Sequence, residues 1–425
     1  MLRLLFDLET DALLDSVSVV WCGSIINLDT EEERLYRPTE IKEMIESLGK
    51  ADYLTGHNII GYDLRVLKKL HKWEPRPEVE IFDTLVACRT IWPHIATLDV
   101  TFRAQLKRKG FTMPSYLFSN PHTLKSWSYR ISGGDPSRSK FHYDDWSKFT
   151  EEMGLYCSQD TRVCADLWKY IMTKGFSTEA LNTEHKCHTL FIQMEEAGVP
   201  FDEPKAVELY STVSEKRLQI MDKLIATVPQ REVQLKTKVK TIPFNPGSRP
   251  QIETYLRANG WVPTQFTESG RAQVTEETLL EAAGELKGAV PDIELLYEYL
   301  LLTKRTGQIS DGKNGWLKLV NKGRIHGRIS HMGTVTSRCS HQSPNLGQVP
   351  AAHSPYGKEC RELFYAPAGY IFVGTDLSGL ELRMLAHYMA LYDGGEYADI
   401  VVNGDVHTKN TVSYTHLTLP TKRIV

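Results

Sequence analysis

The sequence predicts a multidomain protein of the α/β class. The chain has 425 residues, whereas single hydrophobic cores stop growing at roughly 250–300 residues. Short β-type runs alternate with helical runs up to about Asp160, helical periodicity dominates from Leu181 to about Leu302, and strand-like runs return from Gly323. More than one domain is therefore expected, and the first of them is an α/β unit.

The opening segment predicts adjacent strands followed by helices. A turn region, Asp11–Asp15, separates the first two apolar, β-branched runs. Apolar residues at helical spacing and clusters of Gly, Ser and Pro predict the remaining elements. The predicted elements are strands at Leu2–Leu8, Val17–Ile26 and Tyr53–Gly56, helices at Ile41–Leu48, Leu64–Leu70 and Asp144–Trp168, and a loop at Ser128–Lys140.

The later segments predict an elongated helical region and a second mixed region. The basic stretch LKTKVKTIPFNPGSRP interrupts the helices and predicts an irregular basic tip. After it, GRIHGRI indicates a strand, Ile371–Gly374 a buried strand, and Gly379–Tyr392 an amphipathic helix. The residues from about Thr411 (TVSYTHLTLPTKRIV) do not continue this pattern.

Composition excludes several protein classes. Hydrophobic residues make up 41% of the chain and charged residues 24%, which is typical of globular proteins. No apolar run approaches the roughly 20 residues that span a bilayer, and Asp7 and Glu9 follow the MLRLLF start at once, unlike a secretory signal. We therefore expect a cytoplasmic protein. The net charge of -3 neither indicates nor excludes a nucleic-acid partner.

The cysteines do not predict a structural framework. They are odd in number and scattered, and no CxxC pair occurs, so neither structural disulfides nor a zinc site is expected. The seven cysteines are Cys22, Cys88, Cys157, Cys164, Cys187, Cys339 and Cys360.

Two acidic residues on the first predicted strand are candidate metal ligands. Asp7 and Glu9 are two residues apart, so their side chains lie on one face of the strand. Two like charges near an apolar sheet are costly unless a cation compensates them, and Mg²⁺ binds carboxylate oxygens. For an isolated DxE, a polar strand end at the surface is the more frequent alternative.

Two further segments carry candidate site residues. Asp63 begins a helix after the loop in GHNIIGYD, where helix capping is the alternative to a catalytic role. In YCSQD, Tyr156 and Asp160 are four residues apart and share one helical face, where a solvated surface is the alternative. The ordered occurrence of all three patterns in one α/β segment favours a site.

These segments resemble a known family. FDLET, GHNIIGYD and YCSQD are similar to the three motifs of the DnaQ-like 3′-5′ exonucleases, which have a ribonuclease H-like fold. The resemblance implies that Asp7, Glu9, Asp160 and, directly or through water, Asp63 hold two Mg²⁺ ions, with Mn²⁺ as a substitute. Tyr156 would orient the attacking water. Asn58 would support the strand terminus near Asp63 or have a purely structural role in the loop, and Asp83 in IFDTL is expected to be structural or to support the metal ligands.

A second resemblance lies near the end of the chain. Asp376 follows an apolar strand-like run, so metal binding and helix capping are both open for it in isolation. The longer string DLSGLELRMLAH resembles motif A of family A DNA polymerases. That resemblance implies that Asp376 binds both catalytic metals and that Glu381 rejects ribose, with Arg383 on the same helix.

Flanking segments extend the polymerase resemblance. VTSRCSHQSPNLGQVP resembles the primer-template binding stretch, which implies DNA contacts for Arg338, Asn345 and Gln348. Ser337 departs from this pattern because the family normally has Gly there. GDVHTKN resembles a phage-type element whose histidine, here His407, faces the incoming triphosphate, and a surface loop histidine is the alternative.

The resemblance to the short podophage replicative polymerases implies a domain organisation. It consists of an exonuclease domain at 1–180, a helical thumb at 181–322, the start of an α+β palm at 323–410 and an unrelated or artefactual tail at 411–425. The fingers helix and the second palm aspartate have no counterpart. We therefore expect a C-terminally truncated fragment with a full exonuclease site and no polymerisation.

The expected partners follow from the same resemblance. They are DNA primer-template, single-stranded 3′ ends and dNTPs, in the cytoplasm of an infected bacterium, with a phage helicase-primase as a further candidate. Thioredoxin is not expected, because the stretch 228–244 is too short for the insertion that recruits it. Two rival functions are a stand-alone two-metal exonuclease and a non-catalytic DNA-binding module.

Overall fold

A computed structural model gives the architecture of the chain. It describes residues 1–404 except 109, 111, 136–142, 235–238, 268, 287–289 and 291, and only the backbone of 231–234 and 239–242. The chain divides into two compact units, Met1–Tyr365 and Ala366–Val425. Both strands and helices are present, so the predicted mixed α/β class is confirmed.

The described strands are short, and five of the twelve lie in the first 85 residues. The strands are β1 Arg3–Thr10, β2 Val20–Asn27, β3 Glu33–Tyr36, β4 Tyr53–Gly56, β5 Glu80–Asp83, β6 Val199–Pro200, β7 Arg231–Gln234, β8 Val239–Ile242, β9 Val320–Asn321, β10 Arg324–Ile325, β11 Arg328–Ser330 and β12 Ser340–Gln342.

Helices dominate the rest of the described chain. None of them is both long enough and apolar enough to cross a membrane. The helices are α1 Ile41–Leu48, α2 Asp63–His71, α3 Thr84–Ile91, α4 Ile95–Arg108, α5 Tyr116–Ser119, α6 Leu124–Ile131, α7 Glu151–Met172, α8 Thr178–Ala197, α9 Glu203–Thr227, α10 Arg249–Ala258, α11 Glu276–Glu285, α12 Ile293–Thr306, α13 Trp316–Leu319, α14 Gly357–Glu362, α15 Leu380–Asp393 and α16 Glu396–Asn403.

A five-stranded mixed sheet organises the N-terminal part. Its order is β3-β2-β1-β4-β5. Strand β2 is antiparallel to both β1 and β3, whereas β4 is parallel to β1 and β5 is parallel to β4. The register places Glu9 opposite Cys22, and the pairing of β1 with β2 shifts between Glu9 and Thr10. Strand β1 therefore lies at the centre of the sheet.

The two faces of β1 pack against different helices. Leu4, Phe6 and Leu8 join a buried cluster with residues of α1 and α2. Leu5 points to the opposite face and joins a cluster with residues of α3 and α7. Because side chains alternate along a strand, the odd-numbered acidic residues of β1 also face the α7 side.

Helix α7 begins later than the sequence predicts. The predicted helix starts at Asp144, but the observed one starts at Glu151 and is capped by Thr150, whose hydroxyl accepts a hydrogen bond from the Met153 N–H at 3.0 Å. Tyr143 and Trp146 instead pack edge to face with ring centroids 5.2 Å apart. The prediction was wrong at this boundary because apolar spacing alone does not identify the residue that caps a helix, here Thr150.

Two more local predictions were wrong. The predicted loop at Ser128–Lys140 overlaps α6, which continues to Ile131 and buries Tyr129 against Leu106 and Leu117; residues 136–142 lie outside the described part of the chain. The stretch predicted as an irregular basic tip contains β8, which pairs antiparallel with β7 immediately before the stretch. Turn-forming and charged residues do not by themselves exclude a helix end or a hairpin.

A separate helical core forms between α9 and α12. It contains the fully buried Val213, Leu224, Ile252, Leu256 and Leu296, which lie on α9, α10 and α12. This agrees with the helical periodicity of the sequence.

The second compact unit contains α15 and α16. The bounds of α15 agree closely with those of the amphipathic helix predicted at Gly379–Tyr392. The buried strand predicted at Ile371–Gly374 was wrong, because this run has no regular structure and Ile371 is 83% exposed. Within residues 366–404 no strand is described that could supply its ladder of hydrogen bonds. An apolar run forms a strand only when such a partner is available.

Candidate functional site

Asp7 and Glu9 lie on the same face of β1, as the sequence predicts. Glu9 is only 7% exposed and Asp7 is half-buried. A carboxylate oxygen of each, together with the thiol sulfur of Cys157, forms a group whose atoms all lie within 4.8 Å of one another. Two acidic side chains and one thiol therefore converge beneath α7.

Asp63 is tied to this strand by its side chain. It is the first residue of α2, is 3% exposed, and its Oδ1 accepts a hydrogen bond from the Leu8 backbone N–H at 3.2 Å. The N-cap of α2 is Tyr62, which makes no side-chain capping bond. The capping interpretation of Asp63 is therefore not supported, since its carboxylate bonds to β1.

The environment of Asp63 disfavours its charged form. Burial raises the pKa of Asp63 to about 8, and the neighbouring Asp83 charge acts in the same direction. The Leu8 N–H opposes this shift. A buried carboxyl of this kind becomes charged most easily beside a cation.

The buried Asp83 carboxylate stabilises the loop before α2. Asp83 is completely buried, and its carboxylate accepts hydrogen bonds from the backbone N–H groups of Asn58 (2.8 Å), Ile60 (3.0 Å) and Leu85 (2.9 Å). Asn58 adopts a left-handed φ of 68°. These bonds agree with the structural role expected for Asp83, and they fix the segment that leads into Asp63.

Helix α7 supplies the third segment of the site. Tyr156 and Asp160 are one turn apart, and Asp160 is 5% exposed. The ring of Tyr156 packs against Tyr143 and Trp146, with centroids 5.8 Å away in each case. The Cys157 thiol donates to the backbone oxygen of Asp7 over 3.6 Å, which joins α7 to β1.

The acidic residues raise the pKa values of two thiols on α7. Burial raises the pKa of the fully buried Cys164 well above its usual range, and the charges of Asp7, Asp83 and Asp160 add to the shift. Burial also raises the pKa of Cys157, with further contributions from Cys22 and from the charges of Asp7 and Glu9. Acidic residues from β1, β5 and α7 therefore all act on the Cys164 thiol.

The donor chemistry of the cluster fits a divalent cation. Buried carboxylates that share one volume repel each other, and a hard cation with oxygen ligands removes this conflict. The raised pKa of Asp63 shows that burial disfavours its charged form when no cation compensates it. The residues Asp7, Glu9, Asp63 and Asp160 thus suit Mg²⁺ or Mn²⁺ in chemistry.

A cavity opens beside Glu9. Its volume is about 400 Å³, and its lining includes Leu13, Tyr62 and Trp146. The hydroxyl of Tyr62 donates to the Ala12 carbonyl at 2.7 Å, which fixes one wall. Sequence reasoning missed Trp146 and Cys157 as site residues; their only signal was their place within ten residues of Tyr156.

The predicted primer-template residues lie in the first compact unit. Arg338 is exposed in the turn that joins β11 to β12, and the preceding Ser337 has a left-handed φ of 61°. Asn345 precedes a single 3₁₀ turn that ends at Gln348, whose carbonyl accepts a hydrogen bond from Gln308 at 2.9 Å. The backbone at Ser337 therefore has the conformation that favours the glycine of the family pattern.

The predicted motif A residues lie in the second unit. Asp376, Glu381 and Arg383 are all exposed, and the Arg383 Nε donates to the Ser378 carbonyl at 2.8 Å. The N-cap of α15 is Gly379, so Asp376 is not its cap. His407 and residues 411–425 lie outside the described part of the chain.

Comparisons with known proteins identify the family. The model for DNA polymerase family A matches residues 214–418. The DNA-directed DNA polymerase of Escherichia phage T7 is 30% identical over 96% of this chain and 72% of its own length. The chain belongs to the family A DNA polymerases. The corresponding phage T3 polymerase is similar at 29% identity over 96% of this chain and 73% of its own length.

Cellular family A polymerases match a shorter part of the chain. DNA polymerase I of Thermus filiformis is 36% identical over 34% of this chain and 17% of its own length. The solved POL domain of Pol1 from M. smegmatis, in complex with DNA primer-template and dNTP, shares the fold with a TM-score of 0.64 at 16% identity. This comparison covers 98% of our polymerase chain and 66% of the solved one. The predicted resemblance to phage family A polymerases is confirmed.

Proposed function

We propose that residues 1–180 of this family A polymerase chain form a ribonuclease H-like 3′-5′ exonuclease that removes nucleotides from single-stranded 3′ ends of DNA. The observation that carries the proposal is the hydrogen bond from the Leu8 N–H to the Asp63 carboxylate. It brings the second acidic segment to the middle of the first, between Asp7 and Glu9.

The topology around these residues supports the proposal. The central position of β1, between the antiparallel β2 and the parallel β4, places the acidic strand in mid-sheet. Helix α7 packs on the β1 face that carries Asp7 and Glu9, where the Cys157 thiol bonds to the Asp7 backbone oxygen, and the same helix carries Tyr156 and Asp160. This arrangement supports the proposal that the three acidic segments form one site.

Asp7, Glu9, Asp63 and Asp160 would hold two divalent cations, with Mg²⁺ as the expected ion and Mn²⁺ as a substitute. Such ions, when bound, lower the pKa of a water and stabilise the leaving 3′ oxygen in an in-line displacement. No nucleophilic side chain is required for this reaction.

The remaining residues position the reacting groups. Tyr156 would hold the attacking water with its hydroxyl, while Tyr143 and Trp146 fix the plane of its ring. The Asp83 carboxylate holds the backbone of the loop before Asp63 by accepting hydrogen bonds from the N–H groups of Asn58 and Ile60. This restricts the side chain of Asp63 to one place, which favours a preorganised site.

We further propose that residues 181–322 form the thumb and 323–410 the start of the palm of a DNA polymerase. In that region Asp376 would bind the catalytic cations, Glu381 would exclude ribose, and Arg383 and His407 would contact the nucleotide. Arg338, Asn345 and Gln348 would contact primer-template DNA. A phage helicase-primase remains a proposed partner, and thioredoxin is not.

The test of the exonuclease is release of a 3′ label from single-stranded DNA. The unchanged chain should release the label in Mg²⁺ and not in EDTA. The double variant Asp7→Ala/Glu9→Ala should lose at least about a hundredfold in rate, because it removes two metal ligands. Glu46→Gln, which changes an exposed carboxylate on α1, serves as the matched control.

Two results would count against the proposal. Equal label release by the double variant and the unchanged chain would mean that another site, or a contaminant, degrades the DNA. Absence of Mg²⁺-dependent release from a chain with native circular dichroism would favour the alternative of a non-catalytic DNA-binding module.

A further inference from the structure

The thiol of Cys157 lies inside the acidic cluster. Its side chain is completely buried, and its sulfur is within 4.8 Å of a carboxylate oxygen of both Asp7 and Glu9. The hydrogen bond from Cys157 to the Asp7 backbone oxygen keeps the sulfur on this side of α7. The exonuclease reaction proposed above makes no use of this thiol.

A second thiol flanks the first. Cys22 is also completely buried, lies opposite Glu9 in the register of β1 and β2, and shares a buried cluster with Cys157. Cys22 also contributes to the raised pKa of the Cys157 thiol. Sulfur donors from α7 and β2 thus lie next to oxygen donors from β1.

This donor set differs from the one that Mg²⁺ prefers. Mg²⁺ selects oxygen ligands, whereas thiolates select softer ions such as Zn²⁺. Around Zn²⁺, bonds to sulfur of about 2.3 Å and to oxygen of about 2.0–2.2 Å are usual. Donor atoms within 4.8 Å of one another therefore need only a short inward movement to meet one ion.

We propose that Cys157, Asp7 and Glu9 form a site for one thiophilic divalent cation of the Zn²⁺ or Cd²⁺ type, flanked by Cys22, and that this ion excludes Mg²⁺ from the same carboxylates. On binding, the S–H bond of Cys157 breaks, its proton goes to water, and sulfur donates its electron pair to the metal. The inhibitory consequence rests on the proposed exonuclease; the binding itself does not.

The first measurement is a titration of the full chain with Cd²⁺, followed by sulfur-to-metal charge-transfer absorption in the near ultraviolet. Cys187→Ser/Cys339→Ser is the working background, because Cys339 is exposed, Cys187 is half-buried and their charges interact. We expect one Cd²⁺ per chain with this absorption band. The band should disappear in Cys157→Ser made in that background.

The control is Cys360→Ser, which removes another buried thiol in a different cluster, on α14. It should keep the band. If Cys157→Ser does not fold, Cys157→Ala and a competition experiment on the background chain replace it. Excess Mg²⁺ should then weaken Cd²⁺ binding at least about tenfold, because both ions need the carboxylates of Asp7 and Glu9.

The second measurement is inhibition. The Cd²⁺ concentration that halves the Mg²⁺-dependent release of a 3′ label should rise at least about tenfold in Cys157→Ser, with each variant compared with its own rate without Cd²⁺. A band that persists in Cys157→Ser, or no band in the background chain, overturns the inference. A Cys157-dependent band without any exonuclease activity overturns the proposed function and leaves the metal site in place.

Discussion

The Asp63 carboxylate accepts a hydrogen bond from the backbone N–H of Leu8 at 3.2 Å. Leu8 is the residue between Asp7 and Glu9, and its own side chain points into the opposite core cluster. The contact therefore joins two sequence segments that are 55 residues apart without using either acidic side chain of β1. Three predictions start from this and neighbouring contacts, and a fourth concerns the backbone at Ser337.

Asp63→Asn should change the pH dependence of stability in EDTA. The folded pKa of about 8 exceeds the unfolded value of about 3.9, so between these values the folded chain keeps a proton that the unfolded chain releases. Stability of the unchanged chain therefore falls as pH rises from about 4 to 8. The variant lacks this loss, and its advantage in free energy of unfolding should grow over that range.

Urea unfolding at several pH values measures this difference. Asp145→Asn is the control, because hydrogen bonds from Ser147 lower the pKa of the exposed Asp145. The pH-dependent effect of Asp145→Asn on the free energy of unfolding is therefore confined to low pH, and the effect should stay constant between about pH 5 and 8. If the difference in free energy of unfolding between Asp63→Asn and the unchanged chain stays constant across this range, ionisation of Asp63 does not destabilise the folded chain.

Tyr156→Phe should lower exonuclease activity without unfolding the chain. The ring contacts with Tyr143 and Trp146 remain, and only the hydroxyl that would position water is lost. We expect a rate lower by about tenfold to a hundredfold, as for other losses of positioning, in the 3′-label assay. Tyr143→Phe removes the hydroxyl that hydrogen-bonds to Thr150; it should keep the rate, and equal losses in both variants would contradict the role of Tyr156.

Asp83→Ala should be strongly destabilising. It leaves three backbone N–H groups without their acceptor, two of them in the loop before α2. At about 1 kcal/mol or more for each lost partner, the free energy of unfolding should fall by about 3 kcal/mol or more. Asp29→Ala, which removes an exposed ion pair with Arg3, should cost less than about 1 kcal/mol; similar losses in the two variants by urea unfolding would refute the structural role.

Ser337→Gly should stabilise the chain. Ser337 is exposed and has a φ of 61°, a conformation that L residues adopt at a cost and glycine does not. We expect a gain of about 0.5–1 kcal/mol by urea unfolding. Ser211→Gly, in the middle of α9, should instead lose about 0.5 kcal/mol, and a loss at both positions would show that the left-handed backbone at 337 carries no strain.

Local patterns predicted the elements that carry the acidic residues. The alternation in β1 placed Asp7 and Glu9 on one face, and the spacing of Tyr156 and Asp160 placed them one turn apart on α7. These relations depend only on the periodicities of strands and helices. The order of the three acidic patterns was sufficient to suggest that they meet.

Contacts between distant segments were not predictable in this way. The bond from Leu8 to Asp63 competes with helix capping, and sequence alone gives no means to choose between them. Cys157 enters the cluster because α7 crosses β1 at one particular place. Whether an apolar run such as Ile371–Gly374 forms a strand depends on a partner strand and not on the run itself.

The central position of β1 determines how the site responds to thermal opening. Both edges of Arg3–Leu5 are hydrogen-bonded, to β2 on one side and to β4 on the other. Beyond this segment Asp7 and Glu9 pair with β2, and the Leu8 N–H bonds to the Asp63 carboxylate. The amide protons of Arg3–Leu5 should therefore exchange with deuterium mainly in the rare global opening of the domain, while those of outer strands exchange through smaller fluctuations. The acidic residues directly follow this slowly exchanging segment, so local fraying of the outer strands would leave their spacing unchanged.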